Sequence, residues 1–332
     1  MNLFKLNRER TLSALLIAVS IVSVFTVIVP VEASRRNVIR VPEDFSTIEE
    51  AIVAANDGDT ILVGPGKWYG AIVNKAVEIK GMGEAIIDDG PTHPRYSWIH
   101  FGFKLESDGS GATISHLTFK GLELPIYGFM VDDVIIEHNT IYNALQGITN
   151  WDGDNWVIKH NVIEGIYGSG GGGLGIFIGS LKEDYGASGN LVVHNTVVAQ
   201  VPDDRTYSCG GICLCADARW GAKPGEVSNN KVVHNKVVVT GPDTFALSLE
   251  VIGLGDLSEL EESEYARVIE YAKGRLHDNI VGFNDVRGST NPIDVIPEEL
   301  KEVNTISRNL GRNRGHGVVP AEIFKPVKLI IS

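Results

Sequence analysis

Cysteine is scarce in this chain: three in 332 residues, at Cys209, Cys213 and Cys215. Three cannot build a disulfide framework, and an odd number leaves at least one thiol unpaired within a monomer. Glutamine is scarcer still, with only Gln146 and Gln200. Positive charge is short as well: 29 Lys and Arg stand against 42 Asp and Glu, a net charge of −13. That sign repels nucleic acid and anionic lipid, so neither is an expected partner, and a polyanionic sugar needs a local basic patch or a bridging cation. The one long apolar run covers residues 11–31. Lys5, Arg8 and Arg10 precede it and Val31-Glu32-Ala33 follows, the layout of an export signal cut after Ala33. The run is also long enough to stay uncut as an anchor, the only membrane contact expected. On either reading the remainder lies outside the cytoplasm, secreted or at the cell surface.

A repeat fills that remainder. His138-Asn139, His160-Asn161, His194-Asn195 and His234-Asn235 share one frame, with an aliphatic residue two before the His and another three after it. The frame extends to His116 upstream, and to Phe283-Asn284 and Arg308-Asn309 downstream. A recurring unit of this kind names a stacked-repeat architecture. Inward residues of a straight strand keep a period of two, but these aliphatic columns are five apart, so a bend falls at the His-Asn pair. Asn tolerates the left-handed conformation of such a bend, and stacked Asn side chains can bond along the column. The bend is therefore assigned to the Asn. Five His at one phase would stand about 4.8 Å apart on neighbouring rungs, within reach of a shared metal or proton. Their replacement by Phe283 and Arg308 favours solvated turn residues instead.

Residues 38–63 read as strand, helix, strand. Thr47 and Glu50 have capping-box spacing, and Ile48, Ala51, Ile52 and Ala55 make one apolar stripe. A short helix there can cover the open end of a stack. The stretch resembles the opening of right-handed parallel β-helix proteins of the pectin-lyase-like superfamily. The resemblance rests on Thr47-Ile48, Ala51-Ile52, Gly58-Asp59-Thr60-Ile61 and Gly64-Pro65-Gly66-Lys67-Trp68-Tyr69, and with the repeats it covers nearly all of residues 34–332. It implies an all-β fold, a right-handed parallel β-helix with a short N-terminal capping helix and insertions on one side. One domain, 34–332, is expected, with regular rungs over about 111–200 and 227–315.

His116 to His138 and His138 to His160 are both 22 residues, and the later intervals are 34, 40, 49 and 25. The excess falls mainly in 169–187, 201–226 and 241–274, and insertions at one phase project from one side of a solenoid, often the binding side. The third contains a helix, with Ser258 and Glu261 as its capping box and Leu260, Tyr265, Val268, Ile269 and Ala272 as its apolar face. The apolar tail 324–331 would close the far end.

Chemistry is sought on that side. Asp203, Asp204, Asp217 and Arg219 are the candidate catalytic residues, because two carboxylates beside a cleft divide acid and base work, and an Arg can hold a uronate. Arg205 and the aromatic Trp151, Tyr207 and Trp220 are candidate sugar contacts. Polysaccharide hydrolases of the same superfamily carry an Asp-Asp pair and a Gly-His-Gly on nearby rungs. Here Asp203-Asp204 and Gly315-His316-Gly317 are 112 residues apart, counted from Asp204 to His316, so neither that branch nor the Gln- and Asp-bearing esterase branch is matched. Asp152 and Asp154 alternate like the opening of a calcium loop. Cys213 and Cys215 share a strand face as core residues or, with Cys209, as soft-metal ligands for copper, and copper-maturation β-helix proteins share this repeat type. Asp217 continues their parity, so the strand is expected to turn before it to keep that carboxylate in water. The expectation is an exported β-helix that binds, and cleaves or modifies, a polysaccharide or cell-surface glycan. A non-catalytic envelope scaffold or adhesin and a copper-handling protein are the alternatives.

Overall fold

The computed structural model describes residues 37–168, 173–201 and 209–311. The export segment 1–33, Gly315-His316-Gly317 and the tail 324–331 lie outside them. The chain winds through three parallel sheets of ten, seven and eight strands and forms a right-handed parallel β-helix. One complete rung is Ile135–Glu137 in the first sheet, Thr140–Ala144 in the second and Gln146–Trp151 in the third. No helix among the described residues is long and apolar enough to cross a membrane.

The repeat aliphatics make the core. Ile114, Ile136, Ile158, Val192, Val232 and Val281 are register partners on successive rungs of the first sheet. Phe119, Ile141, Ile163, Val197 and Val237 do the same in the second. All are buried. At about 1.5–3 kcal/mol for each such side chain removed from water, these columns are the main favourable term.

The corner between those sheets differs from expectation. The left-handed residue is the His: φ is 58° at His116, 55° at His138, 56° at His160, 57° at His194 and 58° at His234, with 58° at Phe283 and 56° at Arg308. A residue in that conformation throws its side chain outward, which leaves the next position, the Asn, pointing in. There each amide meets the next: Asn139 Nδ2 donates to Asn161 Oδ1 at 3.1 Å, Asn161 to Asn195 at 3.0 Å, Asn195 to Asn235 at 3.0 Å and Asn235 to Asn284 at 3.0 Å. The amide ladder is as expected; its bend belongs to the residue before. A second ladder, Asn190, Asn230, Asn279 and Asn304, lines the corner between the third sheet and the next rung, with links of 2.8–2.9 Å. Each member stands five residues before a member of the first ladder, a period legible in the sequence.

Helix α1 (Ile48–Ala54) carries the Thr47–Glu50 capping box and buries Ile48, Ala51 and Ile52. Helix α2 (Glu262–Arg275) departs from its expected form. Ser258 does not cap it; Asp256 accepts from the Ser258 N–H at 2.9 Å in a separate 3-10 turn, and Glu261 is the N-cap residue without a side-chain bond. Only Ile269 and Ala272 of the expected apolar face are buried, because the helix rests on the corner by one edge.

Each of the stretches 169–187, 201–226 and 241–274 also contains a strand of the third sheet, namely Gly173–Ser180, Cys209–Asp217 and Thr244–Ile252. The described extra residues, mainly 181–187, 218–226 and 253–274, follow directly on those strands. Where that sheet meets the second, Gly102, Gly147, Gly175 and Gly211 occupy one column. A Cβ on Gly211 would lie 2.2 Å from Val237 Cγ1 and 2.5 Å from the Ala246 carbonyl oxygen. Gly211→Ala is expected to lower stability by about 1–3 kcal/mol through overpacking. Gly274→Ala in α2 meets nothing within 4 Å and should raise it by about 0.5–1 kcal/mol. Thermal unfolding of the two variants checks both signs.

Candidate active site

Alternation along the third sheet sends Ile148, Ile176, Ile178, Ile212, Leu214, Leu247 and Leu249 into the core and their neighbours outward. Two outward columns result. Tyr127, Thr149, Phe177, Cys213, Ser248 and Asp294 are register partners in one. Phe129, Trp151, Gly179, Cys215, Glu250 and Ile296 form the other. The N-terminal part of this face is an aromatic platform, with the Trp151 and Phe177 rings 4.3 Å apart and the Phe101 and Tyr127 rings 5.3 Å apart. The C-terminal part is polar and titratable.

Glu250 is the centre of that polar part. It is 4% exposed, and its Oε1 has no hydrogen-bond partner. Burial, with the Asp294 carboxylate adding to it, pushes its carboxyl up to about 7. Asp217 lies one rung before Glu250 and two residues further along, and Asp294 one rung after and two residues back. Strand geometry puts each such diagonal pair of Cα atoms about 8 Å apart. Three carboxylates thus cross three rungs on one diagonal. Asp217 is 1% exposed, and the strand does not turn before it as expected. Arg219 makes that tolerable: its Nε donates to Oδ1 at 3.0 Å and its Nη2 to Oδ2 at 2.6 Å, a bidentate charge-assisted pair. Asp294 remains half-buried, and burial raises its carboxyl while the Val295 N–H donates to its Oδ1 at 3.0 Å.

Among the described residues, the buried side-chain polar atoms without a partner are unevenly distributed. Tyr127 OH, Trp151 Nε1, Asp152 Oδ2 and Glu250 Oε1 lie on this outer face or at its edge, and Ser248 Oγ lies beside the Glu250 carboxyl. Buried polar groups are nearly always bonded, so orphans gathered on one face mark a place for a polar ligand or ordered water.

The residues proposed from sequence are distributed as follows. Asp203, Asp204, Arg205 and Tyr207 lie outside the described residues. Asp217 and Arg219 form the ion pair beside Glu250. Trp151 is buried on Phe177 rather than open to solvent. Trp220 falls in the 3-10 turn Arg219–Gly221, and Cys209 opens the strand that carries Cys213, Cys215 and Asp217. Cys213 and Cys215 are free, buried thiols; contact with Cys213, then burial, holds the Cys215 thiol well above its ordinary value. Asp152 Oδ1 accepts from Ser180 Oγ at 2.6 Å and from the Leu181 and Lys182 N–H groups at 3.0 and 3.2 Å, while Asp154 accepts from the Ser188 N–H at 2.6 Å. The two thus serve different turns. Among the described residues no three His, Cys, Asp or Glu side chains gather as metal ligands. Glu250, Ser248 and Asp294 were missed from sequence. The signal was present, since Glu250 is the one charged residue in the nine-residue strand Thr244–Ile252.

A stability effect follows from Glu250. Its folded value is raised from 4.5 to about 7, so its contribution is full below pH 4.5 and is lost as pH rises through 7. The loss amounts to about 3 kcal/mol. Urea unfolding from pH 4 to 8 should show that slope in the parent and a flatter one in Glu250→Gln; equal slopes would remove the assignment.

No protein-family profile matches this sequence, and no curated protein matches it. Several solved structures are similar to this chain. An alginate lyase from Paenibacillus sp. str. FPU-7 has a TM-score of 0.40 at 13% identity over 78% of this chain and 99% of its own. The catalytic domain of a GH87 α-1,3-glucanase has a TM-score of 0.36 at 10% identity over 82% and 69%. A capsular polysaccharide depolymerase, the tailspike gp49 of Acinetobacter baumannii bacteriophage Fri1, has 0.28 at 10% over 86% and 62%.

Proposed function

We propose that this protein is an exported, carbohydrate-active β-helix that binds a polysaccharide across the outer face of its third sheet and hydrolyses it there. The observation that carries the reading is Glu250, a carboxyl titrating near neutrality between two diagonal carboxylates, with one oxygen unsatisfied. Environments that separate the proton affinities of neighbouring carboxyls define acid and base roles. Glu250 is the general acid: it gives its proton to the glycosidic oxygen as the bond to the anomeric carbon breaks. Asp294, half-buried and reachable, takes a proton from the water that adds to that carbon. The Asp217–Arg219 pair holds the far edge of the site. Purified protein incubated with neutral and uronic-acid polysaccharides, read by release of reducing ends, tests this. Absence of cleavage with every glycan would discard it.

One observation favours a second reading, a non-catalytic envelope scaffold. Tyr127, Cys213 and Ser248 are each under 4% exposed, so the face is closed around Glu250. Glycan binding without cleavage, unchanged in Glu250→Gln, would select that reading.

A further inference from the structure

The histidine column serves neither the core nor the site at Glu250, which lies on the outer face of another sheet. The rings of His116, His138, His160, His194 and His234 stack at 5.0, 5.0, 5.2 and 5.5 Å, Phe283 continues the stack at 5.2 Å, and the Arg308 guanidinium lies 5.2 Å over that ring. All five His are exposed, and among the described residues none of their ring nitrogens has a hydrogen-bond partner. The faces are turned to one another, so what the column presents to solvent is a line of ring edges at rung spacing.

Charge along the line favours anions. Lys80 and Glu78 act on His116, and Glu137, held by Lys159 at 2.9 Å, acts on His116 and His138. Lys231 and Lys236 flank His234, and Asp285, beyond Phe283, is held by Arg287 at 2.7 Å. With Arg308 that makes six cations against three anions, two of them already paired. The remainder of the chain is acidic, so this is a local basic stripe on an otherwise repelling surface. An anion laid along it meets several ring edges at once.

We propose that the column is a docking stripe for a linear polyanionic glycan, whose carboxylate or sulfate groups accept hydrogen bonds from successive ring edges. A glycan fits better than a nucleic acid because the ring faces are used within the stack and leave nothing for bases to stack on. Five rings at one spacing favour a chain of several charged sugars over a single one.

Calorimetry of the full chain at pH 5.5 with size-defined oligogalacturonates tests the stripe, and affinity should rise at least tenfold from the dimer to the hexamer. The triple variant His138→Asn, His160→Asn, His194→Asn, which keeps residues tolerant of the left-handed corner, should lose tenfold or more at pH 5.5 while retaining the parent's thermal unfolding and glycan cleavage. If it unfolds, His160→Asn alone should show a partial loss. Equal affinity for the dimer and the hexamer, full affinity in both variants, or a single-stranded oligonucleotide binding as tightly as the galacturonate would each overturn the proposal. Because the variants leave Glu250 untouched, this outcome is independent of whether the protein cleaves glycans.

Discussion

Asn195→Ala is expected to be the most damaging single substitution in the core, lowering stability by about 3 kcal/mol or more. The loss does not come from hydrophobic burial. Asn195 Oδ1 accepts from the Asn161 backbone N–H at 2.9 Å and from its side chain at 3.0 Å; Asn195 Nδ2 donates to the Ile158 carbonyl at 2.8 Å and to Asn235 at 3.0 Å. Alanine leaves the Asn161 N–H and the Ile158 oxygen buried without those partners, at about 1–3 kcal/mol for each stranded group. The exposed neighbour provides the contrast. His194→Asn keeps a residue tolerant of a φ of 57°, loses only ring stacking, and should change stability by under about 1 kcal/mol. Chemical denaturation of the two variants compares them, and an Asn195→Ala protein as stable as His194→Asn would show that the ladder contributes little.

The largest effect on activity is expected at Glu250. Replacing it with Gln keeps shape and burial but removes the proton, and should lower kcat by about 10²–10⁴-fold with KM little changed. An acid must be protonated to act, so kcat/KM of the parent should fall as pH rises above about 7, the value to which burial pushes this carboxyl. Steady-state rates on whichever polysaccharide is cleaved, from pH 5 to 9, check both statements. A variant as active as the parent would move the chemistry off the third sheet.

The fold was legible because the repeat was written in the −2 and +3 aliphatics and in Asn139, Asn161, Asn195, Asn235, Asn284 and Asn309. The assignment of the bend failed by one residue. Pattern shows that a corner exists, but whether His or Asn is left-handed depends on which side chain must satisfy the buried backbone, a three-dimensional requirement. The insertions were read as projections from one side, with a strand face at Cys213 and Cys215 and a helix in 241–274, because strands such as Cys209–Asp217 and Thr244–Ile252 lack the His-Asn marker of the other two sheets. That error hid the site. Glu250 acquires meaning only once Cys215 is known to be its neighbour on one rung and Asp294 to lie diagonally on the next, and such cross-rung distances come from register.

The first ladder also gives the stack a direction. Each backbone N–H in it, from Asn139 to Asn284, donates to the amide oxygen of the rung that follows, never to the one before. Stripping a rung from the C-terminal side therefore strands a donor beneath it. Stripping one from the N-terminal side takes away both bonds that the next Asn oxygen accepts and one carbonyl its side chain donates to, while its backbone N–H stays engaged with the rung that follows. The two ends of the stack are therefore inequivalent before any cap is counted: loss of a rung strands a backbone donor on one side and an amide acceptor on the other, and α1 sits on the acceptor side.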